Sequence, residues 1–483
     1  MQGSKITFNI DKKQNFREWY NEIIRKAELI DDRYNIKGLI VYRPRAMKVV
    51  KEIYKLLEYE LEKKDHEPVL FPLLIPEENF QKEAEHVEGF KAETFWVTMG
   101  GDEFLNEKMA LRPTSETAFY FMYSLWIRGF SDLPLKLYQS VSVYRHETKA
   151  TRPLIRGREF LWIEAHDAFA SKEEALNQVK NDEEVTKKVL EDSLGLPVFF
   201  FRRPQWDKFK GAVDTYAADV IMPDGACLQV ASTHYLGENF SRAFNVMFTD
   251  KDGKRKFVHQ TCYGPGVSRI LAALISVHGD NSGLIFPFNV APIQIVIIPI
   301  PGEGVAEYSR RILEKLKQFN FKAFLDDSED TPGEKFYKWE FFGAPLRIEV
   351  GPKEVKESKV TLVDRLTKKK ETIELDKLIE YINNFSLNQI KRLRDRAKEA
   401  AEHFIDHAGS IQEVKEKIEK GKKVIKVPFC SLEIDGANCA EVIENETNLK
   451  VRGELLGEKQ PTDEKCIVCG KSANHYVYLA EAY

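Results

Sequence analysis

Long apolar runs are missing from the chain: no stretch of its 483 residues approaches the ~20 needed to span a bilayer. Met1 to Lys13 is polar and carries no signal-peptide core, so the expectation is a soluble, cytoplasmic protein with no membrane partner. Net charge is nearly absent too, since 72 Lys and Arg against 76 Asp and Glu leave −4. That balance does not exclude a nucleic-acid partner, because a local basic face can sit on a neutral whole. Cysteine is scarce: Cys227 and Cys262 stand alone, while Cys430, Cys439, Cys466 and Cys469 crowd the end. This pattern argues against a disulfide framework and for a metal site. Internal repeats and low-complexity tracts are also lacking.

What is present is an ordinary hydrophobic share and enough length for about three domains of ~150 residues. Phe16, Trp19, Tyr20, Ile23, Ile24 and Ala27 recur at helical spacing, and a second helix is expected from Arg45 to Lys63 behind Pro44. Val69 to Ile75 reads as a short strand whose Pro72 suits an edge or an interface. Lys136–Arg145 and Glu159–Ala165 form an expected antiparallel hairpin with a long basic connection. Ser171–Leu194 reads as helix; strands follow at 217–222, 226–232 and 245–249, then a helix over Gly266–His278. Strands that run pairwise favour an antiparallel sheet. Phe286 to Pro292 reads as a linker into a small α/β domain, with strands at Ile293–Pro299, Phe321–Leu325 and Leu346–Val350 and a helix at Gly304–Gln318. A charged helix is expected over Leu387–Ala408, ahead of the cysteine-bearing tail. The fold class is therefore multidomain α+β and α/β, divided at 1–286, 287–386 and 387–483.

The chemistry concentrates between Leu111 and Arg269. Side chains two apart on a strand share a face, so Arg145 and Glu147 are expected to project together from the sheet. A guanidinium grips a phosphate or carboxylate by two parallel hydrogen bonds, and a carboxylate accepts from an exocyclic amine such as adenine's. Arg156 on the returning arm reaches the same phosphates, and Phe160 offers an aromatic face to a purine. Arg269, opening a helix after Gly264-Pro265-Gly266, supplies another cation, and Thr114, Ser115 and Glu116 add hydroxyls and an acid. Such a set suits the joining of ATP to a small amino acid.

Arg145-x-Glu147 with its loop, and Gly264 to Arg269, resemble the second and third signature motifs of class II aminoacyl-tRNA synthetases. Arg112 to Thr117, Thr151 to Glu159, Phe160 to His166 and Ser232 to Phe240 resemble the archaeal and eukaryotic type of the prolyl-tRNA synthetase family. The likeness covers nearly the whole chain. It implies an antiparallel class II catalytic domain, a homodimer, and ATP, L-proline and tRNA(Pro) as partners. Thr114 and Glu116 would accept the two N–H donors of proline, Arg145 would hold its carboxylate near the α-phosphorus, and Trp162 would wall the ring. Glu164, His166 and His234 would complete the proline pocket. Arg145, Glu147, Arg156, Phe160, Gln229, Ser232 and Arg269 would bind ATP, with Gln229 also contacting its Mg2+. The catalytic pair is Arg145 and Arg269. Val267 stands where the family often has threonine, so no hydroxyl contact is expected there.

The same resemblance makes the α/β domain an anticodon-binding module, with Glu340, Arg347 and Lys353 as candidate readers of guanine edges. Cys466-x-x-Cys469-Gly470 is a zinc half-site that Cys430 and Cys439 would complete, with structural Zn2+ as the implied metal. Arg145 to Arg269 is too short for the editing insertion of bacterial relatives, so no editing in cis is expected. Another class II synthetase would want different partners than Thr114, Glu116 and Trp162, and a non-enzymatic paralogue would be expected to lack Arg145, Glu147 or Arg269.

Overall fold

The structure, a computed structural model, describes residues 7–82, 93–461 and 463–483. Its backbone is an eleven-stranded sheet. From one edge the strands are Ile405–His407, Val424–Phe429, His475–Ala480, Lys450–Leu455, Phe199–Arg202 and Asp214–Ile221; then come Cys227–Gly237, His259–Pro265, Glu159–Phe169, Leu135–Tyr144 and Glu67–Pro68. Pairing is antiparallel except at the two ends. The strands Leu135–Tyr144 and Glu159–Phe169 form the expected hairpin, in register from Leu135↔Ala168 to Tyr144↔Glu159.

Period-two alternation gives these strands two different faces. Ile163 and Ala165 turn toward a helical layer, with Val220, Leu228 and Val230 beside them. That layer is built by Phe16–Lys26, Pro44–Glu62, Lys172–Lys187 and Val267–His278. The first helix buries Phe16, Trp19, Tyr20, Ile23 and Ile24, the stripe its spacing predicts. Pro44 occupies the first turn of the second, where a missing N–H costs nothing. The third starts on a capping box in which Ser171 Oγ accepts from Glu174 N while Glu174 accepts from Ser171 N. The opposite face of the sheet is left to the candidate site.

The small α/β domain holds a five-stranded sheet in the order Ala323–Leu325, Ile295–Pro299, Leu346–Val350, Lys359–Asp364, Lys370–Glu374. Its first three strands are parallel and the last two antiparallel.

Several elements differ from expectation. Strand geometry within 69–75 is confined to Leu74–Pro76, which pairs with Glu103–Leu111; Pro72 lies in the irregular stretch before it. The expected linker is packed: Phe286, Phe288, Val290 and Ala291 are buried, and Gln389 clamps it by accepting from Phe288 N and donating to Phe286 O. The expected helix over Leu387–Ala408 instead spans Leu378–Glu402, because Leu378, Ile382 and Phe385 complete the small domain's core. It therefore runs through the expected 386/387 boundary, and residues 405–407 form a strand rather than the end of a helix. The cysteine-bearing region is also not a separate unit: its four strands continue the eleven-stranded sheet, because Lys450–Leu455 pairs with Phe199–Arg202.

Candidate active site

A cleft of about 410 Å³ opens on the free face of the sheet. Thr114, Glu116, Arg145, Glu147, Arg156, Phe160, Trp162, Glu164, His166, Gln229, Ser232, His234 and Arg269 all line it. The side chains at 160, 162, 164 and 166 reach it by alternation along one strand, and those at 229, 232 and 234 come from the neighbouring Cys227–Gly237.

One local expectation is corrected. The hairpin strand ends at Tyr144, so Arg145 and Glu147 do not project from a strand face. They sit in a turn closed by Glu147 N to Arg145 O at 2.7 Å, and reach the same cleft from there. Arg145 Nε donates to Pro113 O at 3.2 Å, and its guanidinium lies 5.3 Å from the Phe160 ring centre. Arg269 Nε donates to Ile155 O at 2.9 Å and Nη1 to Gln229 O at 3.1 Å, which fixes this third cation against the loop and the sheet at once. Glu147 stands 3.9 Å from Arg156. Burial first, then the fields of Arg145 and Arg156, pushes the Arg269 guanidinium down to about 10. Three converging guanidiniums repel one another, and a polyanion between them relieves that repulsion.

A second group of side chains in the cleft is tied together by hydrogen bonds. Thr114 Oγ1 donates to Glu116 Oε2 at 2.6 Å. Glu164 accepts from Ser115 N at 3.0 Å, Ser115 Oγ at 2.6 Å and Gln139 Nε2 at 3.0 Å, so this buried carboxylate braces the Thr114–Glu116 segment. Burial would raise the Glu164 carboxyl, but its bond to His166 at 3.2 Å and those from Ser115 hold it below the usual range. Burial, reinforced by Arg145 and His166, drives His234 down to about 3, so it is neutral, with Nδ1 2.9 Å from Thr215 Oγ1. Trp162 packs so closely on Gly264 that a Cβ there would overlap its ring.

Sequence reasoning missed Glu93, Arg203, Asp207, Lys208 and Phe209, which line the same cleft. Arg203 is fully buried and donates through Nη2 to Asp219 Oδ1 at 2.8 Å and Gln229 Oε1 at 3.0 Å. The tandem Arg202-Arg203 before Pro204 was the available signal.

In the small domain, Glu340 and Arg347 line a second cleft of about 250 Å³ with Arg365 and Lys368. Glu340 pairs with Lys368, and Arg347 with Glu349 at 2.9 Å. Lys353 is exposed at the start of the helix Pro352–Glu357 and is not among the residues lining that cleft. Near the end of the chain, ligand atoms of Cys430, Cys439, Cys466 and Cys469 all lie within 4.8 Å of one another, and the sulfurs of Cys430 and Cys439 are 3.8 Å apart. Four thiolates on zinc at ~2.3 Å stand about 3.8 Å from each other in a tetrahedron, so the cluster fits that ion. No helix among the described residues is long and apolar enough to cross a membrane.

Comparison with known proteins agrees with this geometry. Residues 95–278 match the family model of the class II tRNA synthetase core domain (G, H, P, S and T), residues 294–385 the anticodon binding domain, and residues 411–483 the prolyl-tRNA synthetase C-terminal domain. A proline--tRNA ligase of Thermofilum pendens is 53% identical over 487 residues, covering 99% of this chain and 100% of that protein. One from Pyrococcus abyssi is 42% identical, covering 97% and 98%. The structure of Giardia lamblia prolyl-tRNA synthetase in complex with prolyl-adenylate superposes with a TM-score of 0.94 at 36% identity, covering 99% of this chain and 100% of that one. The Cryptosporidium parvum prolyl-tRNA synthetase complexed with halofuginone and AMPPNP gives 0.93 at 32%, covering 99% of each. The chain belongs to the prolyl-tRNA synthetase family, the proline--tRNA ligases of class II.

Proposed function

We propose that the cleft activates L-proline with ATP and passes it to the 3′ end of tRNA(Pro), with each residue in a definite role. The observation that carries this reading is the convergence of Arg145, Arg156 and Arg269 on a single cleft, with Thr114, Glu116 and Trp162 lining the same space. Proline's secondary ammonium has two N–H donors; Glu116 takes one and the lone pairs of the Thr114 hydroxyl take the other. Trp162 walls the ring. Neutral His234 closes the pocket without adding a charge that would repel the ammonium. Glu164 and His166 act from behind, holding Thr114 to Glu116 in place.

Arg145 holds the proline carboxylate for in-line attack on the α-phosphorus, while Arg156 and Arg269 neutralise the phosphates and Phe160 with Glu147 receive adenine. No protein nucleophile is required: positioning and charge stabilisation do the work. Mg2+ bound with ATP supplies further neutralisation of the phosphates. Gln229 Oε1 and Ser232 Oγ lie at the nucleotide end. The adenylate is then attacked by a terminal ribose hydroxyl of tRNA, and Glu340 and Arg347 contribute to reading the anticodon. Four thiolates hold a structural Zn2+.

On this reading the chain works in the cytoplasm as a homodimer. Leu70, 76% exposed, and Phe104, 79% exposed, are large apolar side chains left open to such a partner. The span from Arg145 to Arg269 is used by the sheet and its helices, so editing in cis is excluded from this reading; fast hydrolysis of alanyl-tRNA(Pro) would overturn that part.

Proline-dependent exchange of pyrophosphate into ATP tests the whole. Arg145→Ala is expected to lower it by about 10²–10³-fold, the scale for losing one preorganised donor. Exchange at full rate in that variant, or exchange driven by another amino acid, sinks the assignment.

A further inference from the structure

Behind the strand Glu159–Phe169, on the face turned from the cleft, His66, Asp167 and Asp182 meet. They come from the turn after the helix Pro44–Glu62, from the strand itself and from the helix Lys172–Lys187. All three are buried, and one ligand atom of each lies within 4.8 Å of the others.

Hydrogen bonding fixes part of the protonation here. His66 Nδ1 is 3.2 Å from Leu61 O, and a carbonyl only accepts, so Nδ1 carries the hydrogen. Nε2 then faces the Asp167 carboxylate, 3.2 Å from Oδ1 and 3.4 Å from Oδ2. Two acceptors confront each other unless a cation or a second proton stands between them. Thr261 Oγ1 donates to Asp167 Oδ2 at 3.1 Å, and Gln178 Nε2 donates to Asp182 Oδ1 at 2.7 Å. Among the described residues Asp182 Oδ2 accepts no hydrogen bond although it is sealed from solvent, and Asp167 Oδ1, sealed likewise, faces the His66 ring nitrogen. Lys136, the cross-strand neighbour of Asp167, gives its ammonium to Lys64 O at 2.8 Å, and its charge acts on both His66 and Asp182.

We propose that this cluster is a second metal site, in which one divalent transition cation, zinc by preference, is held by His66 Nε2, Asp167 and Asp182. Ligand atoms at ~2.0–2.1 Å from tetrahedral zinc stand about 3.3 Å apart, close to the imidazole–carboxylate separation here. A ring nitrogen that donates to a backbone carbonyl is how metal-bound imidazoles are held, and Thr261 and Gln178 brace the two carboxylates in the same way. The ion neutralises both aspartates and satisfies the orphan Asp182 oxygen. It ties two helical segments to the back of the strand whose other face carries Glu164 and His166. Its role is structural.

The competing arrangement places one proton on Nε2 and another between the aspartates. Metal counting by mass spectrometry on the full chain, purified from zinc-supplemented culture, separates them. The wild type should carry two zinc ions per chain and Asp182→Asn one, and cobalt-exchanged Asp182→Asn should keep the thiolate-to-metal charge-transfer bands of the cysteine cluster. One zinc in the wild type, with the same count and melting temperature in Asp182→Asn, overturns the proposal. Should Asp182→Asn fold poorly, Cys466→Ser decides: one remaining metal without those bands supports the site, and none refutes it.

Discussion

Gly264 has the Trp162 indole against its Cα, and any Cβ would overlap Cζ2 of that ring. Gly264→Ala must therefore displace Trp162, the proposed wall of the proline pocket, while leaving the guanidiniums in place. Overpacking of this kind costs about 1–3 kcal/mol. The expected result is a KM for proline raised about 10–100-fold with a far smaller change for ATP, read by pyrophosphate exchange with each substrate varied in turn. Equal increases for both substrates would contradict the assignment of Trp162 to proline. At this scale the sequence was informative about which residues gather and less so about how they are held. Residue spacing placed Arg145 and Glu147 on a strand, but the pair reaches the cleft from a turn, since chain reversal toward the 150s loop begins one residue after Tyr144. Arg203 was missed because its importance comes from a contact with Gln229 across the sheet, which local pattern does not encode.

Elements were legible where one face is buried and the other is not. Pro44–Glu62 and the hairpin strands follow their period because burial fixes both registers. Leu378–Glu402 was misplaced because its first turns serve one core and its later turns another, so no single periodic stretch announces it. The helix Val267–His278 carries a different kind of information at its end. His278 is fully buried, its Nε2 donates to Leu194 O at 2.8 Å, and burial, with help from Arg396 and Lys12, lowers it to about 3. At neutral pH the imidazole is uncharged in both folded and unfolded chains and contributes nothing to pH dependence. Below the ordinary value near 6.5 only the unfolded chain takes the proton, so stability falls as pH drops from there toward 3. Each such site contributes a slope of about 1.4 kcal/mol per pH unit in that window. His278→Gln keeps a donor for Leu194 O and removes one titrating site. Its thermal midpoint should therefore decline less steeply than the wild type's between about pH 6 and 4; parallel declines would show that His278 is not excluded from protonation.

At the scale of the whole molecule, the catalytic and cysteine-bearing regions share one sheet, which no reading of separate domains anticipated. Lys450–Leu455 adds to Phe199–Arg202, and Arg452 binds Asp219 through Nε at 2.9 Å and Nη2 at 2.6 Å. Asp219 in turn holds Arg203, whose guanidinium reaches Gln229, a residue of the cleft proposed to bind ATP. The cysteine-bearing region thus touches the catalytic site through one buried carboxylate. Gly453 makes this junction possible: its φ is 120°, and a Cβ would overlap the carbonyl oxygen of Arg202. Gly453→Ala should consequently loosen the seam, because backbone rather than a flexible side chain would have to yield. None of the four cysteines lies on that strand, so bound zinc should be retained. The KM for ATP should rise through loss of the Arg203–Gln229 support, more than the KM for proline, which is proposed to rest on Thr114, Glu116 and Trp162. Calorimetry should resolve two transitions in place of a shared one, since a region no longer sharing the sheet melts by itself. A single transition at the wild-type temperature, together with an unaltered KM for ATP, would mean that the seam carries no coupling and that the C-terminal region merely leans on the catalytic sheet.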